Sequence, residues 1–407
     1  MGVSISWLQS PQGQQVILVA REYSDSLTAI PALRKQFSEV PPDLISLAFS
    51  QAQLQHRLEA RWGTSAADLL LTDDGINQAT RPDVARYRAK FIADKFGNGA
   101  HVLDLTCGLG FDSREFARYG LRVTSVEIDP DIAEYARHNL KSFDVAVHCA
   151  DANEFKIPND VDVIFVDPAR RDPSAAKDAA GNTKRIFNPS QWSPNWETIN
   201  QIAKTHPVIA KVAPGIDKAE LSDWDARWIS SDGDLVECFL SSSGTGIRAA
   251  VLLGSESEQS FEVLGDATTV TSPLGDFLIV PDPALIRASA LDAVAQLCNG
   301  GLVNEHIAWL TTSDSDAVLE LSKQTPSLAN ILHIESHFKF SDKQLVTNLK
   351  DIEQSGVTVM TRGMQIDVEA IRKAAVKASR SGNQELVIAI YRDDAGPQAL
   401  LCRRYLS

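Results

Sequence analysis

The chain has 407 residues, 44% of them hydrophobic and 23% charged, which is the composition of an ordinary globular protein long enough for two or three domains. No apolar run reaches the roughly 20 residues of a membrane-spanning helix, and the N-terminus lacks the basic region and apolar core of a secretion signal, so we expect a cytoplasmic protein without membrane attachment. Five cysteines without a C-x-x-C spacing argue against structural zinc, and a net charge of −14 argues against a broad nucleic-acid-binding surface.

The first 97 residues are predicted to form an N-terminal helical domain. Within residues 21–97, apolar side chains recur at spacings of three and four, for example at Leu44, Leu47 and Ala48. This spacing places the apolar side chains on one face of a helix, where they can pack against a core.

Residues 101–129 contain the motif that indicates most about function. An apolar strand that carries Asp104 leads into a turn with Gly108 and Gly110. Glycine is needed where a strand turns sharply into a helix and the backbone lies close to a ligand. The next strand ends at Glu127, and a carboxylate there can accept hydrogen bonds from both hydroxyl groups of a ribose. The motif therefore predicts a nucleoside site at the carboxyl edge of a parallel sheet.

The same motif indicates which nucleoside is bound. A dinucleotide fingerprint requires G-x-G-x-x-G, with the pyrophosphate at the helix N-terminus. Here the third glycine is missing, and Asp112 stands at the start of the helix. A carboxylate in that position disfavours a diphosphate and favours a cationic or zwitterionic ligand.

The pattern D-x-x-C-G-x-G followed by V-E-I-D resembles the class I S-adenosylmethionine-dependent methyltransferases. The resemblance implies S-adenosylmethionine as the cofactor, with Asp104 near its methionine moiety and Glu127 on its ribose. It also implies an adenine contact for Asp151, which follows the third strand. The complete predicted cofactor site comprises Asp104, Cys107, Gly108, Gly110, Asp112, Glu127, Asp129 and Asp151.

The surrounding segment predicts a doubly wound α/β domain over residues 98–254. Strands that begin near 101, 122, 145, 162 and 207 alternate with helices, which implies a parallel sheet with right-handed crossovers. Two further strands, 235–241 and 247–253, are predicted to form a hairpin. The resemblance thus implies a seven-stranded, Rossmann-like methyltransferase sheet that ends in an antiparallel hairpin.

The fourth strand leads into Asp167-Pro168-Ala169-Arg170, at the edge where chemistry is expected. Amino methyltransferases have D/N/S-P-P and an aromatic residue at this point, where the polar side chain and a proline-fixed carbonyl hold the hydrogens of the target nitrogen. This chain keeps Asp-Pro but has an arginine in place of the aromatic, and a guanidinium can stack on a base or pair with phosphate. Asp167, Pro168 and Arg170 are the predicted catalytic residues.

The Asp-Pro-x-Arg pattern also occurs in RNA uracil-5 methyltransferases. Methylation at carbon 5 requires a cysteine that adds to the ring, and that family places it after the fifth strand. Residues 208–215 read V-I-A-K-V-A-P-G and contain no cysteine, so the sequence favours methylation of nitrogen.

The segment 69–82, L-L-L-T-D-D-G-I-N-Q-A-T-R-P, resembles the lead-in of trimethylguanosine-synthase-like methyltransferases. A short acidic-glycine turn and a threonine precede the first helix of that family. An ordinary loop that caps the following helix is the alternative interpretation.

The last part of the chain, 255–407, is predicted to be a separate α+β domain. The polar run 255–260 is interpreted as a linker, and a helix is predicted over 284–298. The strand-helix-strand pattern over 356–391 and the motifs P-D-P-A-x-I-R-A and T-R-G-x-x-x-D resemble the THUMP-like domain of bacterial methyltransferases. THUMP domains bind RNA, so RNA is the implied substrate by analogy.

Two segments have an excess of basic residues despite the acidic net charge. Residues 170–185 carry five basic and two acidic side chains, and residues 339–380 carry eight and five. Arg171, Lys184 and Arg185 are therefore predicted to bind a polyanionic substrate. A structural salt bridge of Arg170 and Arg171 with Asp172 is the alternative.

Together these features predict an RNA N-methyltransferase that needs no metal and no obligatory protein partner. Methylation of a small molecule or a protein remains an alternative, as does a catalytically inactive protein that binds S-adenosylmethionine and RNA.

Overall fold

The computed structural model of the protein describes residues 2–169, 186, 188–242, 244–255, 257–264 and 269–405. The chain folds into two compact units. Unit 1 comprises residues 1–212 and 239–243, and unit 2 comprises residues 213–238 and 244–407. The predicted domain boundaries after residues 97 and 254 stay a prediction.

Unit 1 is an α/β unit. Its helices are α1 (Gly2–Gln9), α2 (Pro11–Ala20), α3 (Ser26–Gln36), α4 (Pro42–Trp62), α5 (Asp73–Gln78), α6 (Pro82–Phe96), α7 (Phe111–Arg118), α8 (Pro130–Asn139) and α9 (Trp196–Ala203). Its strands are β1 (His101–Asp104), β2 (Arg122–Glu127), β3 (Val145–Cys149), β4 (Val163–Val166) and β5 (Val208–Val212), together with the end of β7 defined below.

The N-terminal helices begin and end at residues that suit helix termini. Helix α4 begins with Pro42, whose missing N–H costs nothing in the first turn, and it ends at Gly63 in the left-handed conformation, with φ +67°. The buried faces of α1 to α4 form a hydrophobic core that also includes Leu109, from the glycine turn, and Tyr135, from α8. The N-terminal helices therefore pack directly on the elements that carry the predicted cofactor site.

The sheet of unit 1 positions that site. Its strand order is β3-β2-β1-β4-β5-β7, and β1 pairs in parallel with both β2 and β4. The chain thus reverses its direction of strand addition at β1. In such sheets ligands bind at the carboxyl ends of the strands beside this point, where Asp104, Glu127 and Asp167 lie.

Unit 2 contains the remaining elements. They are β6 (Asp225–Ser231), β7 (Asp234–Ser241, whose last three residues belong to unit 1), β8 (Ile247–Leu253), β9 (Glu258–Leu264), β10 (Phe277–Pro281), α10 (Pro283–Arg287), α11 (Leu291–Leu297), β11 (Gly301–Asn304), β12 (Ile307–Thr312), α12 (Ser315–Ser322), β13 (Ala329–Lys339), α13 (Asp342–Leu349), β14 (Glu353–Arg362), α14 (Val368–Ala378), β15 (Arg380–Asp393) and β16 (Gly396–Arg404).

The predicted hairpin of strands 235–241 and 247–253 is wrong. The order in this part of the sheet is β7-β6-β8-β9, so β6 separates the two strands and pairs in parallel with β8. The hairpin joins β6 to β7 through Asp232 and Gly233, both with positive φ (50° and 82°), as a two-residue hairpin turn requires. In the described residues the complete order β3-β2-β1-β4-β5-β7-β6-β8-β9 contains nine strands, where seven were predicted.

Two smaller predictions in unit 2 also need correction. The predicted linker 255–260 contains the start of β9, which pairs antiparallel with β8. The predicted helix 284–298 is two short helices, α10 and α11, because the chain between them turns at Ser289 with φ +60°, a conformation that interrupts a right-handed helix.

A second sheet in unit 2 has the order β11-β12-β10-β13-β16-β15-β14. Helix α14 connects the parallel strands β14 and β15, as the strand-helix-strand pattern predicted. Along β15, Leu386, Ile388 and Ile390 pack in the core that includes α13 and α14. The intervening residues, such as Val387 and Ala389, pack on the opposite face, which is the period-two alternation of a sheet buried on both sides.

Candidate active site

The glycine turn after β1 begins the site. Gly108 and Gly110 have φ values of +54° and +85°, which side chains of L-residues rarely allow. A Cβ added at Gly108 would meet no atom within 4 Å, whereas one at Gly110 would lie 3.0 Å from Leu140 Cδ1. The backbone at Gly108 is therefore open to a ligand, while Gly110 allows the turn to pack closely on the protein.

The lead-in segment also contacts this turn. A Cβ added at Gly75, in α5, would lie 2.2 Å from Leu109 Cδ1 and 2.8 Å from Thr72 Oγ1. Glycine allows this approach without a shift of either side chain, so the acidic-glycine turn packs against the side chain between the two glycines of the motif.

Asp104 is fully buried beneath the turn. Its carboxylate accepts hydrogen bonds from Ser113 Oγ at 2.6 Å and from the backbone N–H of Thr106 at 3.2 Å. Burial raises the pKa of Asp104 to about 7, and the Ser113 hydrogen bond opposes this rise. The carboxyl group therefore holds the turn in place, and it is not open to solvent.

Glu127, at the end of β2, lies beside the turn. Its Oε2 accepts from the N–H of Gly108 at 3.0 Å and its Oε1 from the N–H of Asp129 at 2.9 Å. The residue is only partly buried, and burial raises its pKa. A carboxylate oxygen has two lone pairs, so each oxygen can still accept a further hydrogen bond from a ligand.

The other predicted cofactor residues occupy different positions around these two. Asp129 is exposed and caps α8, accepting from the N–H groups of Asp131 and Ile132. Asp151 follows β3 and accepts from the backbone and side chain of Asn153, both at 2.8 Å. Because β3, β2 and β1 are neighbours, Asp151 and Glu127 lie at the same edge of the sheet.

Cys107 and Asp112 lie deeper in the protein. Burial raises the pKa of the Cys107 thiol well above its usual value, so the thiol is neutral at pH 7. Asp112 is buried, and its two oxygens bind Arg88 and Thr80. The sequence predicted that the negative charge of Asp112 favours a cationic ligand. In the structure that charge is balanced by Arg88 of α6.

Asp167 lies at the carboxyl end of β4, where the sequence predicted a catalytic residue. Its N–H donates to Thr106 Oγ1 at 2.7 Å, which links the ends of β4 and β1. Its Oδ2 accepts from Lys211 Nζ at 2.6 Å, and its side chain is 26% exposed, against 9% for Lys211. Pro168 is buried, and the backbone of Ala169 pairs with that of Ser193.

Four of the predicted residues, Arg170, Arg171, Lys184 and Arg185, lie outside the described residues. Conversely, sequence reasoning assigned no role to Lys211, Arg88 or Ile128. Ile128 follows Glu127 and is 61% exposed, so an apolar surface lies next to the partly buried carboxylate. Its position between two acids of the V-E-I-D motif was the available signal.

Comparisons with known proteins agree with this geometry. Residues 102–189 match the family model described as a methyltransferase domain, and residues 329–404 match the one described as THUMP domain-like. Two uncharacterized S-adenosylmethionine-dependent methyltransferases from two strains of Mycobacterium tuberculosis are each 25% identical over 91% of this chain and 99% of their own length. The protein is an S-adenosylmethionine-dependent methyltransferase.

The fold of this methyltransferase occurs in a crystal structure as well. A proposed methyltransferase from Porphyromonas gingivalis W83 is similar with a TM-score of 0.69 and 16% identity, over 98% of this chain and 99% of that one. The predicted combination of a class I methyltransferase domain with a C-terminal THUMP-like domain is thus confirmed.

The site of the methyltransferase fits the family's cofactor, S-adenosylmethionine. The open backbone at Gly108 allows close approach, and Glu127 beside it can still accept hydrogen bonds. In the described ranges, no group of three or more His, Cys, Asp or Glu side chains could hold a metal ion. Over the same part of the chain, no helix is long and apolar enough to cross a membrane.

The raised pKa of Asp104 predicts a pH dependence of stability. Between about pH 4 and pH 7 the folded protein keeps a proton that the unfolded chain has released, so the free energy of unfolding falls as the pH rises, by at most about 1.4 kcal/mol per pH unit. We expect Asp104→Asn to remove this fall, so that the variant gains stability relative to the wild type from pH 4 to pH 7. Urea denaturation at several pH values measures the difference.

Asp129→Asn is the control for this experiment, because it removes an exposed carboxylate while asparagine still caps α8. A stability difference between wild type and Asp104→Asn that stays constant with pH, or one that Asp129→Asn reproduces, would contradict the assigned effect of burial.

Proposed function

We propose that this methyltransferase transfers the methyl group of S-adenosylmethionine to a nitrogen atom of an RNA base. The observation that carries the reaction type is the Asp167-Pro168 corner at the end of β4. One oxygen of Asp167 is held by Lys211, and the side chain is partly exposed at the sheet edge that also carries Glu127. An acceptor nitrogen beside this carboxylate would lie close to the cofactor.

The proposed reaction depends on positioning. S-adenosylmethionine would supply an electrophilic methyl group. The lone pair of the acceptor nitrogen would form the new N–C bond opposite the breaking C–S bond, S-adenosylhomocysteine would leave, and the methylated nitrogen would release its proton to solvent. Catalysis of such a displacement consists largely of orientation. Oδ1 of Asp167 would accept a hydrogen bond from the acceptor N–H and so direct the lone pair. The same carboxylate would stabilise the positive charge that develops on the nitrogen.

The cofactor residues would act in two ways. We propose that Glu127 accepts from the ribose hydroxyls, and that Ile128 and Asp151 contact the apolar face and the polar edge of adenine. Asp104 is buried and would act by fixing the glycine turn. Asp112 would act through its ion pair with Arg88, which balances its charge at the start of α7.

RNA is the acceptor that the C-terminal domain favours, because residues 329–404 match the THUMP domain-like family. All eight basic residues of the segment 339–380 are exposed. Among them, Lys343 lies on α13 and Lys377 on α14, the two helices that cover one face of the second sheet. Exposed cations on a packed helical layer can contact phosphates without a broad basic surface.

Salt-dependent RNA binding tests the proposal. Each phosphate contact contributes roughly 0.7 to 0.9 units to the slope of log affinity against log salt. We expect the double variants Arg170→Ala/Arg171→Ala and Lys343→Ala/Lys377→Ala each to bind total RNA more weakly and with a slope shallower by about 1 to 2 units. The control, Arg34→Ala/Lys35→Ala, removes two exposed cations of α3 and should leave the slope unchanged.

Methyl transfer identifies the acceptor class. Tritiated S-adenosylmethionine is incubated with the enzyme and separate RNA, protein and metabolite fractions, and RNA should take up the label. A wild-type enzyme that binds no RNA at low salt and labels the protein or metabolite fraction would replace RNA by that class of acceptor.

A further inference from the structure

We infer that Lys211 is a positioning residue for Asp167, and that Thr80, from the segment ahead of the methyltransferase motif, holds Lys211 in turn. This inference rests on the proposed role of Asp167. It extends the active site to a part of the chain, residues 79–81, that lies outside the matched methyltransferase region, which begins at residue 102.

A continuous set of contacts connects these residues. Lys211 Nζ lies 2.6 Å from Asp167 Oδ2 and 2.8 Å from Thr80 Oγ1. Thr80 Oγ1 lies 2.8 Å from Asp112 Oδ2, and Oδ1 of the same carboxylate pairs with Arg88 Nη1. Arg88 and Thr80 are buried, so water competes weakly for these bonds.

The direction of each hydrogen bond follows from the groups involved. An ammonium group only donates, so Thr80 Oγ1 must accept from Lys211. An ionised carboxylate only accepts, so the single hydroxyl hydrogen of Thr80 goes to Asp112. The Thr80 hydroxyl therefore makes two hydrogen bonds, and it cannot rotate away from Lys211 without losing its bond to Asp112.

The far end of this set of contacts is fixed to the sheet. The guanidinium of Arg88 lies 4.9 Å from the ring centroid of Phe165, a residue of β4 two positions before Asp167. Cation–π contacts of this kind are stronger where the cation is desolvated. The contacts thus begin at Asp167, directly after β4, and end at Phe165 of β4. Lys211 is held between them by Asp167 on one side and Thr80 on the other.

The consequence concerns the orientation of the carboxylate of Asp167. Lys211 donates to Oδ2. Oδ1 has no hydrogen-bond partner in the described part of the chain, so it is the oxygen that can accept from a substrate. A catalytic group held within about 0.5 Å of its productive position acts far better than a loosely held one. Loss of Lys211 or Thr80 should therefore affect turnover and leave cofactor binding intact.

Four variants test the kinetic side. We expect Lys211→Met and Thr80→Val to lower kcat for methyl transfer to total RNA by roughly 10- to 100-fold. Calorimetry should show affinity for S-adenosylmethionine within about twofold of wild type. Thr80→Ser keeps the hydroxyl and should recover most of the rate, and Lys211→Arg keeps a cationic donor and should recover part of it.

A second measurement needs no acceptor. Urea denaturation of Lys211→Met, Thr80→Val and the double variant should show that the two substitutions are coupled. We expect the double variant to change the unfolding equilibrium constant by a factor at least about threefold smaller than the product of the two single factors. Coupling without any RNA methylation would refute RNA as the acceptor but would support the contact between Lys211 and Thr80. The kinetic test is then repeated with the protein or metabolite fraction that accepts the methyl group. Additive stability effects, or full turnover in Lys211→Met, would overturn the inference.

Discussion

Asp167→Ala is expected to lower the rate of methyl transfer by roughly 100-fold or more, because the acceptor nitrogen loses the group that orients its lone pair. The affinity for S-adenosylmethionine should stay within about twofold of wild type. Asp167 follows β4, whereas the proposed cofactor contacts come from Glu127, the last residue of β2, and from the glycine turn after β1. Single-turnover kinetics with tritiated cofactor and calorimetry on the same preparation measure the two quantities.

The alanine variant also leaves Lys211 buried without its anion, which is destabilising by about 3–5 kcal/mol for a fully buried pair and by less for this partly exposed one. Asp167→Asn therefore serves as the companion variant, because its carbonyl oxygen can still accept one hydrogen bond. We expect its rate to lie between those of wild type and Asp167→Ala. A wild-type rate in a folded Asp167→Ala enzyme would mean that the Asp-Pro corner is structural.

The parts of the site that were predictable from the sequence depend on local rules. Gly108 and Gly110 are separated by one residue, and their positive φ values follow from the turn that joins β1 to α7. Glu127 and Asp167 each follow an apolar strand, and carboxyl ends of neighbouring parallel strands meet at one edge. The sequence pattern is therefore sufficient to bring these residues together.

The contacts around Lys211 were not predictable in the same way. Its bonds to Asp167 and Thr80 join positions 44 and 131 residues apart, and no periodicity connects them. Asp112 shows the limit most clearly. The helix-terminus argument correctly placed a carboxylate at the start of α7, but its partner is Arg88, 24 residues earlier on α6.

Strand β6 was missed for a different reason. All seven of its residues are buried, including Asp225 and Arg227, so charged side chains interrupt the apolar run that marks a buried strand. Tertiary partners satisfy both charges: Asp225 accepts from Thr245 and Ile247, and Arg227 pairs with Glu262. The Asp232-Gly233 pair was the available hairpin signal.

Glu127→Ala is expected to weaken binding of S-adenosylmethionine by roughly 1–3 kcal/mol, or about 5- to 150-fold. The ribose hydroxyls lose their acceptor, and the N–H groups of Gly108 and Asp129 lose theirs, so the turn itself is less well held. Calorimetry measures the affinity. Glu154→Ala removes an exposed carboxylate four residues after Ala150 and should bind like the wild type.

Kinetics should separate Glu127 from Asp167. Because Glu127 would contact the ribose equally in the ground state and the transition state, its loss should raise KM for S-adenosylmethionine and leave kcat nearly unchanged. Asp167→Ala should show the reverse, since its contact to the acceptor matters most as the nitrogen attacks. Wild-type cofactor affinity in both Glu127→Ala and Asp104→Ala would remove the cofactor from this turn. A fall in kcat alone for Glu127→Ala would place the carboxylate of Glu127 at the acceptor, so the two strand ends would exchange their proposed roles.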